Sequence, residues 1–389
     1  MDIAERINEI YDELIEIRRY LHMRPELSNE EYNTQKKIMS FLAENKIENI
    51  KIANTGVLGI INGNNSRNTS VALRADIDAL PIQEMNNTEY KSKTNGVMHA
   101  CGHDVHTTIL LGVSKILNEL KDEFAGNVKL MFQPAEETTG GALPMIKDGC
   151  LDNPKVDYVL GLHVMPYLET GKIELKHDKL NAASDMIEIT FKGKSGHGAY
   201  PETTVDAIVI ASHAITALQT LTSRNISPLN SCVLSFGTIH GGTQSNVISN
   251  EVKITGTLRT LDKATRDFAH KRIKDIVDFE SKVFGGSYDL KINNGYEPLI
   301  NNNEIIDIIN ETAISSIGKE NIVFKKFPSL GVEDFSYFSN RVKGAFYHLG
   351  CKKDNLETSL HANNFDVDEN CIKTGILMQI KTTLKLLKM

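Results

Sequence analysis

Short apolar runs that alternate with amphipathic helical patterns constrain the fold of this chain more than any other feature. SVALRAD at 70–76 indicates a buried strand, and VHTTILLGVSKILNELKD at 105–122 has the apolar spacing of a helix. Two further strands are indicated by NVKLMFQ at 127–133 and VDYVLGLHV at 156–164. This alternation predicts an α/β fold with a mostly parallel mixed sheet flanked by helices. Ligand-binding groups gather at the carboxyl ends of strands in such sheets.

The pattern changes at about residue 182. A strand-like segment SDMIEITFKGK, a helical segment, the strand pair SCVLSFGTIH and VISNEVKITGTLRT, a helix and the strand SYDLKIN follow one another. The order βαββαβ is the ferredoxin-like α+β motif, which can fold as a compact insert. We therefore predict one domain built from residues 1–181 and 297–389. Residues 182–296 are predicted to form a second domain that is inserted into the first.

Composition excludes several classes of function. A chain of 389 residues exceeds the usual size of one hydrophobic core, which agrees with two domains. The net charge of −7 and the absence of a long basic run argue against a nucleic-acid partner. No apolar stretch approaches the roughly 20 residues that cross a bilayer, so we expect no membrane partner.

The cysteines and the N-terminus predict the compartment. The five cysteines are odd in number and widely scattered, which does not indicate a disulfide framework. The N-terminal segment MDIAERINEIYDEL is acidic and lacks the apolar core of a secretion signal. Together these features favour a cytoplasmic protein.

Cys101 and His103 lie two residues apart in MHACGHDVH, directly before a predicted helix. A thiolate and an imidazole in one tight turn can form half of a metal site, and Gly102 lets the backbone bend sharply. Two ligands fall short of a full site, so this segment alone fits equally well a buried free cysteine beside surface histidines.

Two adjacent glutamates, Glu136 and Glu137 of FQPAEE, follow the strand predicted at 127–133. A Glu-Glu pair most often begins a solvated loop. Its position at the carboxyl end of a strand favours a functional interpretation, in which one carboxylate binds metal and the other moves protons.

Two histidines complete the candidates. His163 follows the apolar run YVLGL, where an unpartnered imidazole would be costly to bury, although such a histidine is more often a satisfied core residue. His361 of SLHANNF is flanked by short polar residues and indicates little by itself.

Considered together, four segments supply five candidate ligands: Cys101, His103, Glu137, His163 and His361. Five ligands with one shared between two ions would give each ion three protein groups and leave open positions for water and substrate. Open positions distinguish catalytic from structural zinc sites. Glu136 is then left over for proton transfer.

A series of motifs in the chain resembles those of a known family. The motifs are LHMRPELSNEE, RADIDALP, MHACGHDVH, FQPAEE, GLHVMP, SGHGAYP, GVEDFSYF and LHANNF. The series runs nearly from end to end and is similar to the aminoacylase, hippurate-hydrolase and auxin-conjugate-hydrolase branch of the dinuclear zinc peptidases.

The resemblance implies roles for the residues of the first domain. All five candidate ligands would bind two divalent ions, with Cys101 as the bridge and Glu136 as the general base. Asp76 of RADIDALP would be the active-site aspartate that orients the metal site from behind. The wider superfamily usually has an aspartate bridge and a histidine where Arg74 stands, and both differences match this branch. A bridging thiolate favours zinc, with manganese, cobalt or nickel as possible substitutes.

The resemblance also implies that residues 1–181 and 297–389 form the catalytic metal-binding domain and that the inserted residues 182–296 form a lid and dimerisation domain. His197 of SGHGAYP would be the lid histidine that enters the active site of the neighbouring subunit in a homodimer or higher oligomer. A loop histidine on a polar turn is the alternative. Asn246 and Arg259 would hold the substrate carboxylate, although Arg259 could instead be a surface strand residue. Gly331 and Val332 match a loop that lines the substrate cleft.

The expected function is metal-dependent hydrolysis of the amide bond of small N-acyl-L-amino acids, of the N-acetyl or hippurate type. A dipeptidase acting on unblocked dipeptides and a non-catalytic metal-binding protein are the alternatives. KSGHG is no nucleophile elbow, because His197 stands where glycine is required. The sequence contains neither a phosphate loop nor an intact dinucleotide fingerprint.

Overall fold

The computed structural model describes residues 2–64 and 68–389. The chain divides into two compact units. The first unit contains the residues up to 178, together with 300–327 and 334–389. The second unit contains 179–299 and 328–333. No helix in the described part of the chain is long and apolar enough to cross a membrane.

The elements up to residue 175 are, in chain order, α1 (Ile3–Glu9), α2 (Tyr11–His22), α3 (Tyr32–Glu44), β1 (Glu48–Ile52), β2 (Gly56–Asn62), β3 (Ser70–Asp76), α4 (His103–Glu119), β4 (Asn127–Gln133), α5 (Ala142–Lys147), β5 (Tyr158–Glu169) and β6 (Ile173–Leu175).

The middle of the chain contributes β7 (Asp178–Asn181), β8 (Ala183–Lys192), β9 (Gly196–His197), α6 (Ala207–Leu218), β10 (Cys232–Gly241), β11 (Val247–Ile248), β12 (Glu251–Thr260), α7 (Lys263–Val283), β13 (Ser287–Asn294) and β14 (Leu299–Asn301). The remaining elements are α8 (Asn303–Ser316), β15 (Ile322–Phe324), α9 (Ser336–Ser339), β16 (Lys343–Lys352) and α10 (Cys371–Leu386).

The first unit is built on an eight-stranded mixed sheet in the order β1-β2-β4-β3-β5-β16-β6-β15. Its centre is parallel: β3 pairs in parallel with β4 and β5, and β16 pairs in parallel with β5. Every residue of β3 is buried, because a central parallel strand is covered on both faces. Antiparallel pairing of β1 with β2 and of β2 with β4 completes one side. The predicted fold class of this unit is confirmed.

The register of the central strands brings the sequence motifs together. The last residue of β3, Asp76, pairs with the last residue of β4, Gln133. Parallel strands end at the same edge of a sheet, so RADIDALP and FQPAEE meet there. Helix α4 begins beside this edge at His103 and is buried along nearly its whole length.

The second unit is a four-stranded antiparallel sheet in the order β10-β12-β8-β13, with α6 and α7. The chain order βαββαβ and this strand order define a ferredoxin-like fold, as the sequence predicts. Ile187, Ile189 and Phe191 alternate along β8 and are buried in the core that the sheet forms with the helices. A separate strand pair, β9 and β11, sets His197 opposite Val247.

The two compact units differ from the predicted domains at one segment. Residues 328–333 are assigned to the first domain by the sequence prediction, but they belong to the second unit. The amide of Ser329 donates to the carbonyl of Leu180 at 2.8 Å, and the amide of Ala182 donates to the carbonyl of Gly331 at 3.1 Å. This pairing joins segments about 150 residues apart, so no local pattern announces it. The chain also passes between the units at 178/179 and 299/300 rather than at 181/182 and 296/297.

Candidate metal centre and active site

A tight turn before α4 places Cys101 beside His103. Gly102 has a φ of +85°, and a Cβ at this position would lie 2.3 Å from Cγ2 of Val164. Only glycine fits both the left-handed backbone and the close packing. The ligand atoms of Cys101, His103 and His163 all lie within 4.8 Å of one another. The turn therefore brings Cys101 and His103 together with His163.

Strand β5 presents His163 to Cys101. Nε2 of His163 lies 3.3 Å from Sγ of Cys101, while Nδ1 donates to the carbonyl of Val164 at 2.7 Å. Burial lowers the pKa of His163 well below its usual value, so the ring is neutral. With its proton held on Nδ1, the ring directs the lone pair of Nε2 towards the thiol, as a metal-binding histidine requires.

A strained turn after β4 carries the two glutamates. Ala135 has a φ of +54°, and its amide donates to Oε1 of the buried Glu31 at 2.9 Å. Glu136 and Glu137 form one group with His103, with the ligand atoms within 4.8 Å of one another. Oε1 of Glu137 lies 3.8 Å from Nε2 of His103.

The fifth candidate arrives from the far end of the chain. His361 adopts a φ of +64°, and its amide donates to the carbonyl of Ala100 at 2.8 Å. Its Nε2 lies 3.2 Å from Oε1 of Glu137. The ligand atoms of Cys101, Glu137 and His361 lie within 4.8 Å of one another. The structure thus brings together all five residues that the sequence analysis selects as metal ligands.

Asp76 is buried beside this group, but it does not contact the far side of the His103 ring. Its Oδ1 accepts from Nδ1 of His106 at 2.6 Å, and its Oδ2 accepts from Nη1 of Arg74 at 2.7 Å. The same Oδ2 lies 3.5 Å from Nε2 of His103, the nitrogen that faces the cluster.

The carboxylate behind His103 is Asp78, which the sequence analysis does not single out. Nδ1 of His103 donates to the carbonyl of Asp78 at 2.8 Å and lies 3.2 Å from its Oδ1. Oδ2 of Asp78 accepts from the hydroxyl of Ser28 at 2.7 Å and from the amide of Glu137 at 3.1 Å. Asp78 therefore orients one ligand and anchors the backbone of another. The available signal was a second aspartate two residues after Asp76.

His106 was likewise not predicted as a site residue, and both of its ring nitrogens form hydrogen bonds. Nδ1 donates to Asp76, and Nε2 accepts from the amide of Val164 at 2.9 Å. Arg74 is occupied as well: besides Asp76, its guanidinium donates to Asp334 at 2.9 Å and to Gln133 at 2.8 Å. Both side chains support the site and are not available as ligands.

The electrostatics of the group fit bound cations. Nε2 of His103 and Oε1 of Glu137 are buried and have no hydrogen-bond partner among the described residues. Burial would lower the pKa of His103, but the charges of Asp76, Asp78 and Glu137 outweigh it and raise that pKa to about 10. A place where carboxylates favour a proton this strongly also favours a metal ion.

Cys101 leads to the same conclusion. Burial, followed by the charges of Glu137 and Glu136, raises the pKa of its thiol well above the usual value. A thiolate is stable here only when a cation compensates its charge. The donor set of one sulfur, imidazole nitrogens and a carboxylate suits zinc and related divalent ions.

Two of the sequence-selected residues of the second unit lie together. Val247 of β11 pairs with His197, and the amide of Gly198 donates to the carbonyl of Asn246 at 2.8 Å. Both His197 and Asn246 are exposed. Nδ1 of His197 accepts from the amide of Ala199 at 3.1 Å, so the neutral ring carries its proton on Nε2.

The other three also belong to the second unit. Arg259 lies on β12, where it pairs with Val233 and Ser184, and its Nη1 is buried without a hydrogen-bond partner among the described residues. Burial lowers its pKa from the usual value. Gly331 and Val332 lie in the segment 328–333, which packs with the second unit.

Comparison with known proteins identifies the family. The sequence profile of Peptidase family M20/M25/M40 matches residues 72–385. The chain belongs to this family. The resemblance inferred from the motifs is confirmed, and the protein is a hydrolase of the M20 family.

Several members of the M20 family are similar over almost their full lengths. The N-acetyl-L-cysteine deacetylase of Bacillus subtilis is 40% identical over 367 residues, 94% of this chain and 86% of the relative. The hippurate hydrolase of Campylobacter jejuni is 37% identical over 391 residues, all of both chains. The thermostable carboxypeptidase 2 of Saccharolobus solfataricus is 38% identical over 396 residues, 99% of both.

A solved M20 structure matches this fold. The YXEP protein of Bacillus subtilis, described as a dinuclear metal-binding peptidase of the M20 family, superposes with a TM-score of 0.86. It is 31% identical, and the match covers 98% of this chain and 99% of that protein.

Proposed function

We propose that this protein is a dinuclear metal-dependent amidohydrolase that converts N-acyl-L-amino acids into a carboxylic acid and a free amino acid. The observation that carries the proposal is the convergence of five ligand-type side chains, two of which, His103 and Glu137, hold a buried atom without a hydrogen-bond partner among the described residues. Relatives named as a deacetylase and as a hippurate hydrolase support the substrate class.

Two divalent ions would be held by the five side chains that converge: Cys101, His103, Glu137, His163 and His361. Cys101 is the proposed bridge, because its sulfur lies in groups with His103 and His163 on one side and with Glu137 and His361 on the other. Zinc is the favoured metal, and manganese, cobalt or nickel could replace it. Bound ions of this kind supply Lewis acidity, which acidifies water and polarises an amide carbonyl.

Glu136 is the proposed general base. It accepts a proton from the attacking water as the new carbon–oxygen bond forms. It then returns that proton to the amide nitrogen, the carbon–nitrogen bond breaks, and the amine leaves. Asp76 is proposed to orient the side chains around the metal site, because it accepts hydrogen bonds from His106 and Arg74.

The second unit would supply the substrate contacts. Arg259 and Asn246 are proposed to bind the substrate carboxylate. The buried Nη1 of Arg259 supports this, because it has no hydrogen-bond partner in the described part of the chain. Gly331 and Val332 would line the cleft. His197 is proposed to act in the cleft of a partner subunit, where the proton on its Nε2 would stabilise the developing oxyanion. This role requires a homodimer or a larger oligomer.

We also propose a cytoplasmic location. Four of the five cysteines are buried and all five are free, as expected in a reducing compartment.

A peptidase that acts on unblocked dipeptides is the second candidate function, favoured by the similarity to a carboxypeptidase. The two candidate functions are distinguished by assays on N-acetyl-amino acids, hippurate, the carboxamides of both and unblocked dipeptides. Metal-loaded enzyme should cleave the N-acyl acids fastest, and chelation should abolish the activity. Blocking the carboxylate should lower kcat/KM on the order of 10- to 100-fold.

Elemental analysis accompanies the assay and should find two ions per chain. Full activity with one ion would contradict the dinuclear site, and equal rates on acids and amides would contradict the carboxylate contact. Metal-loaded protein that is inert on every substrate would support a non-catalytic role.

A further inference from the structure

A cluster of polar side chains lies near the candidate metal centre. Apart from β5, which also carries His163, its strands contain none of the sequence motifs. It consists of Tyr167 on β5, Glu174 on β6, His348 on β16 and Lys325 directly after β15. We call these four residues the Glu174 cluster. All four belong to the first unit.

The sheet register places the cluster beside His163. His348 pairs with His163 across the parallel strands β16 and β5, and it pairs with Glu174 across the antiparallel strands β16 and β6. Residues that pair across neighbouring strands project from the same face of a sheet. Neighbouring strands lie about 4.8 Å apart, so the backbone of Glu174 lies roughly 10 Å from the strand of His163. His163, His348 and Glu174 therefore form one row across the sheet.

The cluster is organised around one carboxylate oxygen. Oε1 of Glu174 accepts hydrogen bonds from the Tyr167 hydroxyl at 2.7 Å, from Nδ1 of His348 at 2.7 Å and from Nζ of Lys325 at 3.2 Å. Burial would raise the pKa of Glu174, but the hydrogen bonds from His348 and Tyr167 lower it to about 2. Glu174 is therefore a fixed carboxylate at neutral pH.

Two acceptor atoms of the cluster are left unused. Oε2 of Glu174 and Nε2 of His348 have no hydrogen-bond partner among the described residues. Because Nδ1 of His348 donates to Glu174, the neutral ring presents an acceptor lone pair on Nε2. Glu174 is only 9% exposed, whereas Tyr167 is 55% exposed, so the cluster is open on the tyrosine side.

We propose that the Glu174 cluster determines substrate specificity by binding an uncharged carboxamide on one of the two substituents of the scissile amide. The carboxamide NH₂ would donate to Oε2 of Glu174 and Nε2 of His348, and its oxygen would accept from Lys325. Lys325 repels a cationic group and Glu174 repels an anionic one, so the cluster favours an uncharged polar group. This inference rests on the proposed amidohydrolase function.

The test compares substrates that differ only at this group. N-acetyl-L-glutamine is compared with N-acetyl-L-methionine and N-acetyl-L-glutamate on the amino-acid side. N-succinamoyl-glycine is compared with N-pentanoyl-glycine on the acyl side. The full-length metal-loaded enzyme should favour the carboxamide in one of these two series. Glu174→Gln replaces one acceptor by a donor and should reduce that preference in kcat/KM on the order of 10- to 100-fold.

Two further variants complete the experiment. His348→Gln should reduce the same preference, and it provides a second reading if Glu174→Gln fails to fold. Glu169→Gln is the matched control, because Glu169 lies on β5 but is exposed and pairs with Lys172. Its substrate preference should equal that of the unaltered enzyme.

The outcomes separate the two proposals. An unaltered enzyme that cleaves none of these substrates contradicts the proposed function itself. An enzyme that cleaves them without preferring the carboxamide in either series overturns the specificity proposal alone. Folded variants that lose activity equally on all substrates also overturn it, because the cluster would then only support the sheet.

Discussion

Glu136 and Glu137 are chemically identical neighbours, and their surroundings suit them to different tasks. Oε1 of Glu137 lies 3.8 Å from Nε2 of His103 and 3.2 Å from Nε2 of His361, and the backbone amide of Glu137 donates to Asp78. Such a carboxylate is suited to bind a cation. Glu136 belongs to a group with His103 and Glu137 but not to the groups around Cys101, which is the basis for proposing it as the base.

Glu136→Gln tests this division at the scale of one residue. The substitution keeps the shape of the side chain and removes its basicity, so turnover should fall roughly 10²- to 10⁴-fold. Because Glu136 is not among the five proposed ligands, the variant should retain two ions per chain. Kinetics and elemental analysis on the same preparation measure both quantities. Near-normal turnover would refute the general base, and loss of metal would make Glu136 a ligand.

At the scale of elements, the site depends on how strand ends and helix starts meet. Asp76 and Gln133 end adjacent parallel strands, and α4 begins at His103 immediately after a left-handed turn. The turn packs against Val164, whose amide and carbonyl hold His106 and His163. A change in the turn should therefore reach several ligands at once.

Gly102→Ala tests this coupling. The added Cβ meets Cγ2 of Val164 at 2.3 Å and strains a backbone φ of +85°. We expect lower metal affinity together with a lower melting temperature, at a cost of about 1–3 kcal/mol. Gly96→Ala is the matched control, since Gly96 has a φ of +73° but nothing within 4 Å of the added Cβ. It should share the backbone strain without the loss of metal. Equal metal affinity in both variants would contradict the role of the turn.

At the scale of the whole molecule, the question is whether active sites are shared between subunits. All five proposed ligands belong to the first unit, whereas His197, Asn246 and Arg259 belong to the second. His197 is exposed on a two-stranded ribbon, with its Nε2 proton available as a donor. These features suit a residue that completes the site of another chain.

Co-expression of two inactive variants tests this arrangement. His197→Ala and Glu136→Gln should each be nearly inactive as homodimers. In a mixed dimer, one cleft combines an intact Glu136 from one chain with an intact His197 from the other. Random assembly makes about half of the dimers mixed, so roughly a quarter of the normal activity should return. Mixed dimers that form without restored activity would show that His197 acts within its own chain or is not catalytic.

The sequence alone predicted the alternation of strands and helices, the ferredoxin-like order of the second unit and the ligand-type residues of the candidate metal centre. These depend on local signals: apolar periodicity, a glycine at a turn, and the residue types that bind metal ions. Cys101, His103, Glu137, His163 and His361 were all recognisable from motifs, and the structure brings them together.

The three-dimensional fold was needed to see which side chains meet. It assigned the contact behind His103 to Asp78, joined residues 328–333 to the second unit, and aligned His163, His348 and Glu174 in one row. Each of these depends on pairing between segments far apart in the chain. A shift of one residue in that register would turn the side chains to the opposite face. The pattern of a single segment contains no information about the register of its partner strand. The sequence could therefore indicate the candidate ligands but not the residues that orient them.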